Sequence, residues 1–178
     1  MKYKNIVISG DIGTGTSTLA KNLAKNLGWK CLSVGDLFRR YALEHNIPLW
    51  DKASVPIEEE KKVDYSFQKK MAAVSKTVFE GHYSGWFAKE LNESFKILLK
   101  ADLEVALGRA VKRLDHTHVE TREEVLKRRK GITLKFHKVY SSDDYLDEKY
   151  FNIAIDTTNI SPDEVLKIAL DAFQEANI

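Results

Sequence analysis

The chain has 178 residues, with 28 Lys+Arg against 26 Asp+Glu and 43% hydrophobic residues. That length fits one domain with a sizeable buried core, and the near-balanced charge excludes a general attraction to nucleic acid or to membrane surfaces. Cys31 is the only cysteine, so an intramolecular disulfide is excluded, and no apolar segment reaches signal-peptide or transmembrane length; the expectation is a soluble, cytoplasmic protein with Cys31 as buried packing.

Taken in order, Ile6-Val7-Ile8 reads as a short buried strand, and Leu19, Leu23 and Leu27 recur every fourth residue as one face of a helix. Between them lies Gly10-Asp11-Ile12-Gly13-Thr14-Gly15-Thr16-Ser17. Strand, glycine loop and helix together are the setting of a phosphate-binding P-loop, whose backbone N–H groups and helix dipole face an anion. The pattern G-x-x-x-x-G-K-[ST] is met except at the lysine, where Thr16 stands; Ser17 keeps the magnesium-binding hydroxyl. The residues from Gly10 to Ser17, with Thr18, are therefore candidates for binding a nucleoside triphosphate. The bland alternative is a Gly/Thr turn that binds nothing.

Gly28 supplies a stop for the first helix, and residues 29–34 form a second strand candidate. Gly35 ends it and Asp36 can cap a helix over 37–43. Between Pro48 and Pro56 the chain is irregular; a polar helix follows over 58–71, with Val63, Phe67 and Met71 as its apolar stripe. Residues 77–79, 96–99 and 152–156 are further strands, and Leu103, Leu107, Val111 and Leu114 mark a helix between the last two. A charged segment runs from His116 to about Lys149, and Ser161-Pro162-Asp163-Glu164 opens the final helix, whose apolar face is Val165, Ile168, Ala169, Ala172 and Phe173. Five short apolar strands separated by helices indicate an α/β fold with a parallel sheet, whose ligands bind at the carboxyl ends of the strands. Gly10, Gly35, Glu80-Gly81 and Asp156 fall at such ends.

Several side chains near those ends suit phosphate chemistry. Arg39 can fork onto a phosphate or be a solvated surface arginine. Arg109 and Arg113 are four apart and share a helix face, with Arg122, Arg128 and Arg129 beyond them. Such a cluster suits a polyphosphate, or is a solvent-exposed helix laced with Glu104, Glu120, Glu123 and Glu124. Glu80 is placed to hold a magnesium-bound water. His82 reads as packing or surface more readily than as a base, and Trp86 and Phe87 either stack on a base or close the core.

Across nearly its whole length the chain resembles the nucleoside monophosphate kinases, most closely the archaeal-type cytidylate kinases. The resemblance rests on Ile8 to Ser17, on Ser33-Val34-Gly35-Asp36-Leu37-Phe38-Arg39, on Glu80-Gly81-His82-Tyr83-Ser84-Gly85-Trp86, and on Asn152 to Thr158 with the proline-capped last helix. It implies a three-layer P-loop nucleotide kinase fold with a five-stranded parallel sheet, helices on both faces and a mobile lid, all in one domain. Residues 35–75 would be the acceptor-binding subdomain and 116–149 the lid with its following helical segment. It further implies transfer of the ATP γ-phosphoryl group to CMP or dCMP, with ATP and Mg²⁺ required and Ser17 and Glu80 serving the metal. Arg39 would grip the acceptor phosphate, with Asp36, His82, Gly85 and Trp86 around the acceptor. Arg109 would pack on the donor adenine, Arg113 would reach its phosphates, and Arg128 would belong to the closing lid; Arg113 and Arg128 are the catalytic candidates. Small-molecule nucleotides are the partners expected, for a monomer or weak homo-oligomer. The family carries a threonine at the Thr16 place. It has an arginine where His82 stands, and further lid arginines where this chain reads Gly131-Ile132-Thr133-Leu134-Lys135-Phe136. Another acceptor, or a nucleotide-binding sensor without turnover, is the alternative.

Overall fold

The computed structural model describes residues 2–48, 50, 51, 54–112 and 119–178. Its centre is strand β1 (Asn5–Gly10), buried at every residue. It pairs in parallel with β3 (Thr77–Glu80) on one side and β4 (Ser94–Lys100) on the other. β2 (Lys30–Ser33) adds to β3 and β5 (Ile153–Asp156) to β4, so the order is β2-β3-β1-β4-β5, all parallel. A parallel strand covered on both faces needs a continuous apolar run, and Ile6-Val7-Ile8 supplies it. Its alternating side chains feed two cores.

Ile6 and Ile8 face a core with Leu19 and Leu23 of α1 (Thr16–Leu27), Phe95, Ile97 and Leu99 of β4, and Val165, Ala169 and Phe173 of α7 (Pro162–Glu175). Val7 and Phe79 face the other. There α2 (Val34–Glu44), α3 (Ile57–Ala73), the short α4 (Ser84–Phe87) and α6 (Arg122–Val139) contribute Val34, Phe67, Met71, Phe87, Ile132 and Phe136. A small third cluster joins Leu107 and Ala110 of α5 (Leu103–Val111) to Val125 of α6. Both α6 and α7 begin in capping boxes, Thr121 with Glu124 and Ser161 with Glu164, which satisfy the first amides of each helix reciprocally. The three-layer parallel architecture is the one the sequence indicates.

Four local expectations are corrected. The cap of α2 is Ser33, whose hydroxyl accepts from the Asp36 N–H at 3.2 Å, so Gly35 and Asp36 lie inside the first turn. Cys31 is exposed, because β2 is an edge strand. The buried positions of α5 are Ala106, Leu107 and Ala110, while Leu103 is exposed; Leu114 lies outside the described residues. The buried stripe of α3 is Glu60, Asp64, Phe67 and Met71, so two carboxylates occupy places where an apolar stripe is expected, and Val63 is only half-buried. Their partners come from α6 and the residue after it: Lys135 pairs with Glu60 at 2.9 Å, and the Tyr140 hydroxyl donates to Asp64 at 2.8 Å.

Candidate active site

The loop after β1 turns on two glycines in the left-handed region, where other residues are strained. Gly13 has φ +81°, and a Cβ there would stand 2.0 Å from the Ala106 carbonyl oxygen of α5. Gly15 has φ +97° and precedes α1 with no side chain capping the helix amides. The helix N-terminus therefore opens, dipole first, into a cavity. Ile12, Gly13, Thr14, Gly15, Thr16, Ser17, Thr18, Lys21, Arg109, Arg128 and Thr157 are among its walls. Arg109 is fixed there by hydrogen bonds to the Thr157 hydroxyl (3.0 Å) and carbonyl (2.7 Å), leaving its guanidinium plane as a wall.

Gly10 and Asp11 lie behind the loop, outside this cavity. The Gly10 carbonyl accepts from His82, and one Asp11 oxygen accepts the Ile12 N–H at 2.7 Å while the other pairs with Arg129. Asp11 thus ties the loop to α6.

Glu80, at the end of β3 and almost buried, gathers three hydroxyls. Thr16 donates to Oε1 at 2.7 Å, Ser17 to the same oxygen at 3.3 Å, and Ser33 to Oε2 at 2.6 Å. The missing lysine is thereby explained locally: its place holds a short neutral donor that engages the acid beside it. The Ser17–Glu80 pair is a hard-oxygen donor set that suits Mg²⁺, which keeps most of its waters and takes phosphate oxygens besides one carboxylate. Among the described residues no group of three or more His, Cys, Asp or Glu forms a metal cage, so phosphate and water would supply the remaining ligands.

A second cavity lies between α2, α3, α4 and α6. Its walls are mainly apolar (Val34, Phe38, Phe67, Met71, Phe87, Ile132), with Arg39, Asp64, His82 and Arg128 among the polar ones. Arg39 is held by an ion pair to Asp36, one turn earlier. His82 Nδ1 lies 3.0 Å from the Gly10 carbonyl, which requires Nδ1 to carry the proton. Burial pushes the His82 pKa below its ordinary value, outweighing the nearby Asp11 and Glu80 carboxylates; the Arg128 cation lowers it further. The ring is accordingly neutral at pH 7, a polar wall and no stand-in for an arginine.

Of the remaining candidates, Asp36 faces Arg39 and does not line the cavity, and Gly85 and Trp86 turn away from it. A Cβ on Gly85 would meet the Phe151 ring at 2.2 Å. Trp86 stands edge-on to Phe136 at 5.1 Å and donates to Asp143 at 3.2 Å, so this segment is packing against α6. Arg113 lies outside the described residues. Arg122 pairs with Glu104 on the surface. The stretch Gly131 to Phe136 is interior helix, with Ile132, Lys135 and Phe136 buried.

Arg128 is the residue that joins the two cavities. Of the described residues it alone lines both. It is oriented by Glu120, almost completely buried, whose Oε2 accepts from its guanidinium at 2.6 Å. Sequence reasoning assigned Glu120 no role beyond the alternative of a solvated helix; the burial of its carboxylate beneath an arginine has no signature in spacing.

The chain is similar to known proteins over most of its length. Residues 6–130 match the family model described as an AAA domain. The cytidylate kinase of Sulfurisphaera tokodaii is 32% identical over 166 residues, covering 92% of this chain and 91% of the relative. That of Archaeoglobus fulgidus is 34% identical over 178 residues, covering 97% and 96%. Among solved structures, the shikimate kinase of Acinetobacter baumannii in complex with shikimate superposes with a TM-score of 0.67 at 15% identity, covering 99% of this chain and 96% of that one, which speaks for the fold. A glycine loop open to an anion, two cavities meeting at one arginine, and relatives aligned from end to end identify the chain as an ATP-dependent phosphotransferase of the P-loop class, a member of the archaeal cytidylate kinase family.

Proposed function

We propose that the protein is a nucleoside monophosphate kinase that moves the γ-phosphoryl group of ATP to CMP or dCMP. The observation that carries this reading is the position of Arg128, a cation shared by the glycine-loop cavity and the apolar cavity beside it. A phosphoryl group in flight between two bound nucleotides accumulates charge where such a guanidinium lies.

In this reading the amides of Gly13 to Thr18 hold the donor phosphates and Arg109 packs on its base. Arg39 grips the acceptor phosphate. Ser17 and Glu80 hold Mg²⁺, which when bound neutralises phosphate charge. An acceptor phosphate oxygen attacks the γ-phosphorus as the bond to the ADP oxygen breaks; that oxygen is already nucleophilic, so no strong base is required. Neutral His82 is consistent with that. Residues 35–75 form the acceptor subdomain and 116–149 serve as the lid; of these, 49, 52, 53 and 116–118 lie outside the described residues. Closure of that segment excludes water as a competing acceptor.

One observation favours a rival acceptor. A neutral His82 with Nδ1–H engaged presents a lone pair at Nε2, which suits an alcohol better than a phosphate. The test is ADP release by the purified protein with ATP, Mg²⁺ and each nucleoside monophosphate in turn. The expected result is stimulation by CMP or dCMP above all others. Stimulation by a different monophosphate overturns the acceptor; ATP binding without turnover on any of them overturns the kinase reading and leaves hydroxyl-bearing metabolites to be tried.

A further inference from the structure

We infer that Asp64 is the residue that selects the acceptor base, by accepting a hydrogen bond from an exocyclic ring amine. The inference deepens the kinase reading above and rests on it.

The walls of the acceptor cavity carry both cations and apolar surface. Arg39 of α2 and Arg128 of α6 are its cations; the helix α3 contributes Asp64, Phe67 and Met71, successive members of one buried stripe. An acceptor nucleotide calls for both, with a dianionic phosphate at one end and a flat, weakly polar ring at the other. Phe67, Met71 and Phe87 can cover the ring faces. Asp64 is the carboxylate in that apolar wall and is itself only 3% exposed.

Its surroundings explain how a buried acid is retained there. The Tyr140 hydroxyl donates to one carboxylate oxygen at 2.8 Å, and the neighbouring Glu60 on the preceding turn is paired with Lys135 at 2.9 Å. Tyr140, Glu60, Lys135 and the buried Tyr83, which precedes α4, are among the titratable groups around it. A carboxylate has about four lone-pair positions and, ionised, no proton to give. It therefore welcomes the N–H of an amine and opposes a carbonyl oxygen. Cytosine and uracil differ along this ring edge: cytosine carries an amine at C4 beside a bare N3, uracil a carbonyl at C4 beside an N–H, so the carboxylate tells them apart where it faces the C4 substituent. The other acid of the cavity, Asp51, is half-buried in the loop after α2, where the Ser54 hydroxyl donates to it.

The experiment is kcat/KM for CMP and for UMP at saturating ATP, with the wild-type protein and with Asp64→Asn, whose amide can present either an oxygen or an N–H. Sites that hydrogen-bond a substrate group reject analogues lacking it by large factors, so we expect the wild-type CMP:UMP ratio to collapse by about 100-fold or more in Asp64→Asn. A merely structural role for Asp64 would lower both values together and leave the ratio intact; that result overturns the assignment while the kinase reading stands. Independently of any variant, wild-type protein should lose most of its turnover with N4,N4-dimethyl-CMP, which has no N–H to give. Turnover equal to that with CMP would overturn the inference even if Asp64→Asn fails to fold. If wild-type protein uses neither CMP nor dCMP, the acceptor reading and this inference fall together.

Discussion

His82 shows how one side chain can change character with its surroundings. Its near neighbour in sequence, Glu80, gathers the hydroxyls of Thr16, Ser17 and Ser33, yet the half-buried His82 ring donates Nδ1–H to the Gly10 carbonyl and titrates below the ordinary histidine value. The depressed value has a consequence for stability. Between the folded and the ordinary pKa the unfolded chain binds the extra proton, so stability rises with pH across that window. The contribution is fully present above the ordinary value near ~6.5 and is lost as pH falls toward the folded one. Thermal unfolding of the wild type should therefore weaken more steeply between about pH 7.5 and about pH 5 than that of His82→Gln, which keeps a donor for Gly10 and cannot titrate. Parallel melting curves for the two proteins would contradict this account. The sequence shows a histidine in place of an arginine; it does not show the ring's protonation, which depends on a carbonyl some seventy positions earlier in the chain.

At the scale of elements, α3 and α6 are the pair whose contact was least legible. The strands could be read because apolar runs bounded by glycine have few other uses, and the capping of α7 because serine, proline and glutamate occur at fixed offsets. The stripe of α3 could not. In the sequence Glu60 and Asp64 are simply part of a polar helix, and their burial goes with Lys135 and Tyr140, contributed from the far half of the chain, being brought opposite them. Removing one member of a buried ion pair strands the other, so Lys135→Met should destabilise the fold by about 3–5 kcal/mol in urea unfolding. A companion variant carrying Glu60→Leu as well should recover most of that loss, because two well-packed apolar side chains replace a pair that is expensive to desolvate. Equal stability of Lys135→Met and wild type would show that the pair is not a structural joint. The lysine also donates to the Val55 carbonyl, so this joint anchors the entry to α3.

For the whole molecule, the relevant unit is the meeting of two cavities at Arg128. Glycine-loop residues were recognisable from spacing, whereas the role of Arg128 depended on a helix returning across the sheet, and the Glu80 hydroxyl cage on two loops converging. If Arg128 supplies the charge that the loop lysine supplies elsewhere, Arg128→Gln should lower kcat by about 1,000-fold or more while the KM for ATP moves less than about tenfold, because the loop amides still hold the donor. Glutamine retains a donor for Glu120, and urea unfolding of the variant checks that the fold survives. A kcat within about tenfold of wild type would remove Arg128 from the mechanism.

The order of the sheet also governs how the molecule comes into being. β1 pairs only with strands made much later, Ile6 beside Val78 and Asn5 beside Ser94, and β2 likewise waits for Thr77. On a ribosome, β1 and β2 thus emerge with no ladder available to either, and the apolar Ile6-Val7-Ile8 has only α1 and α2 to cover it. β3 is the piece that lets the rest assemble, since both β1 and β2 bind it. Nascent chains are most prone to aggregate until Glu80 has cleared the exit tunnel, so the same short strand that carries the site's acid also ends the most exposed interval of the protein's synthesis.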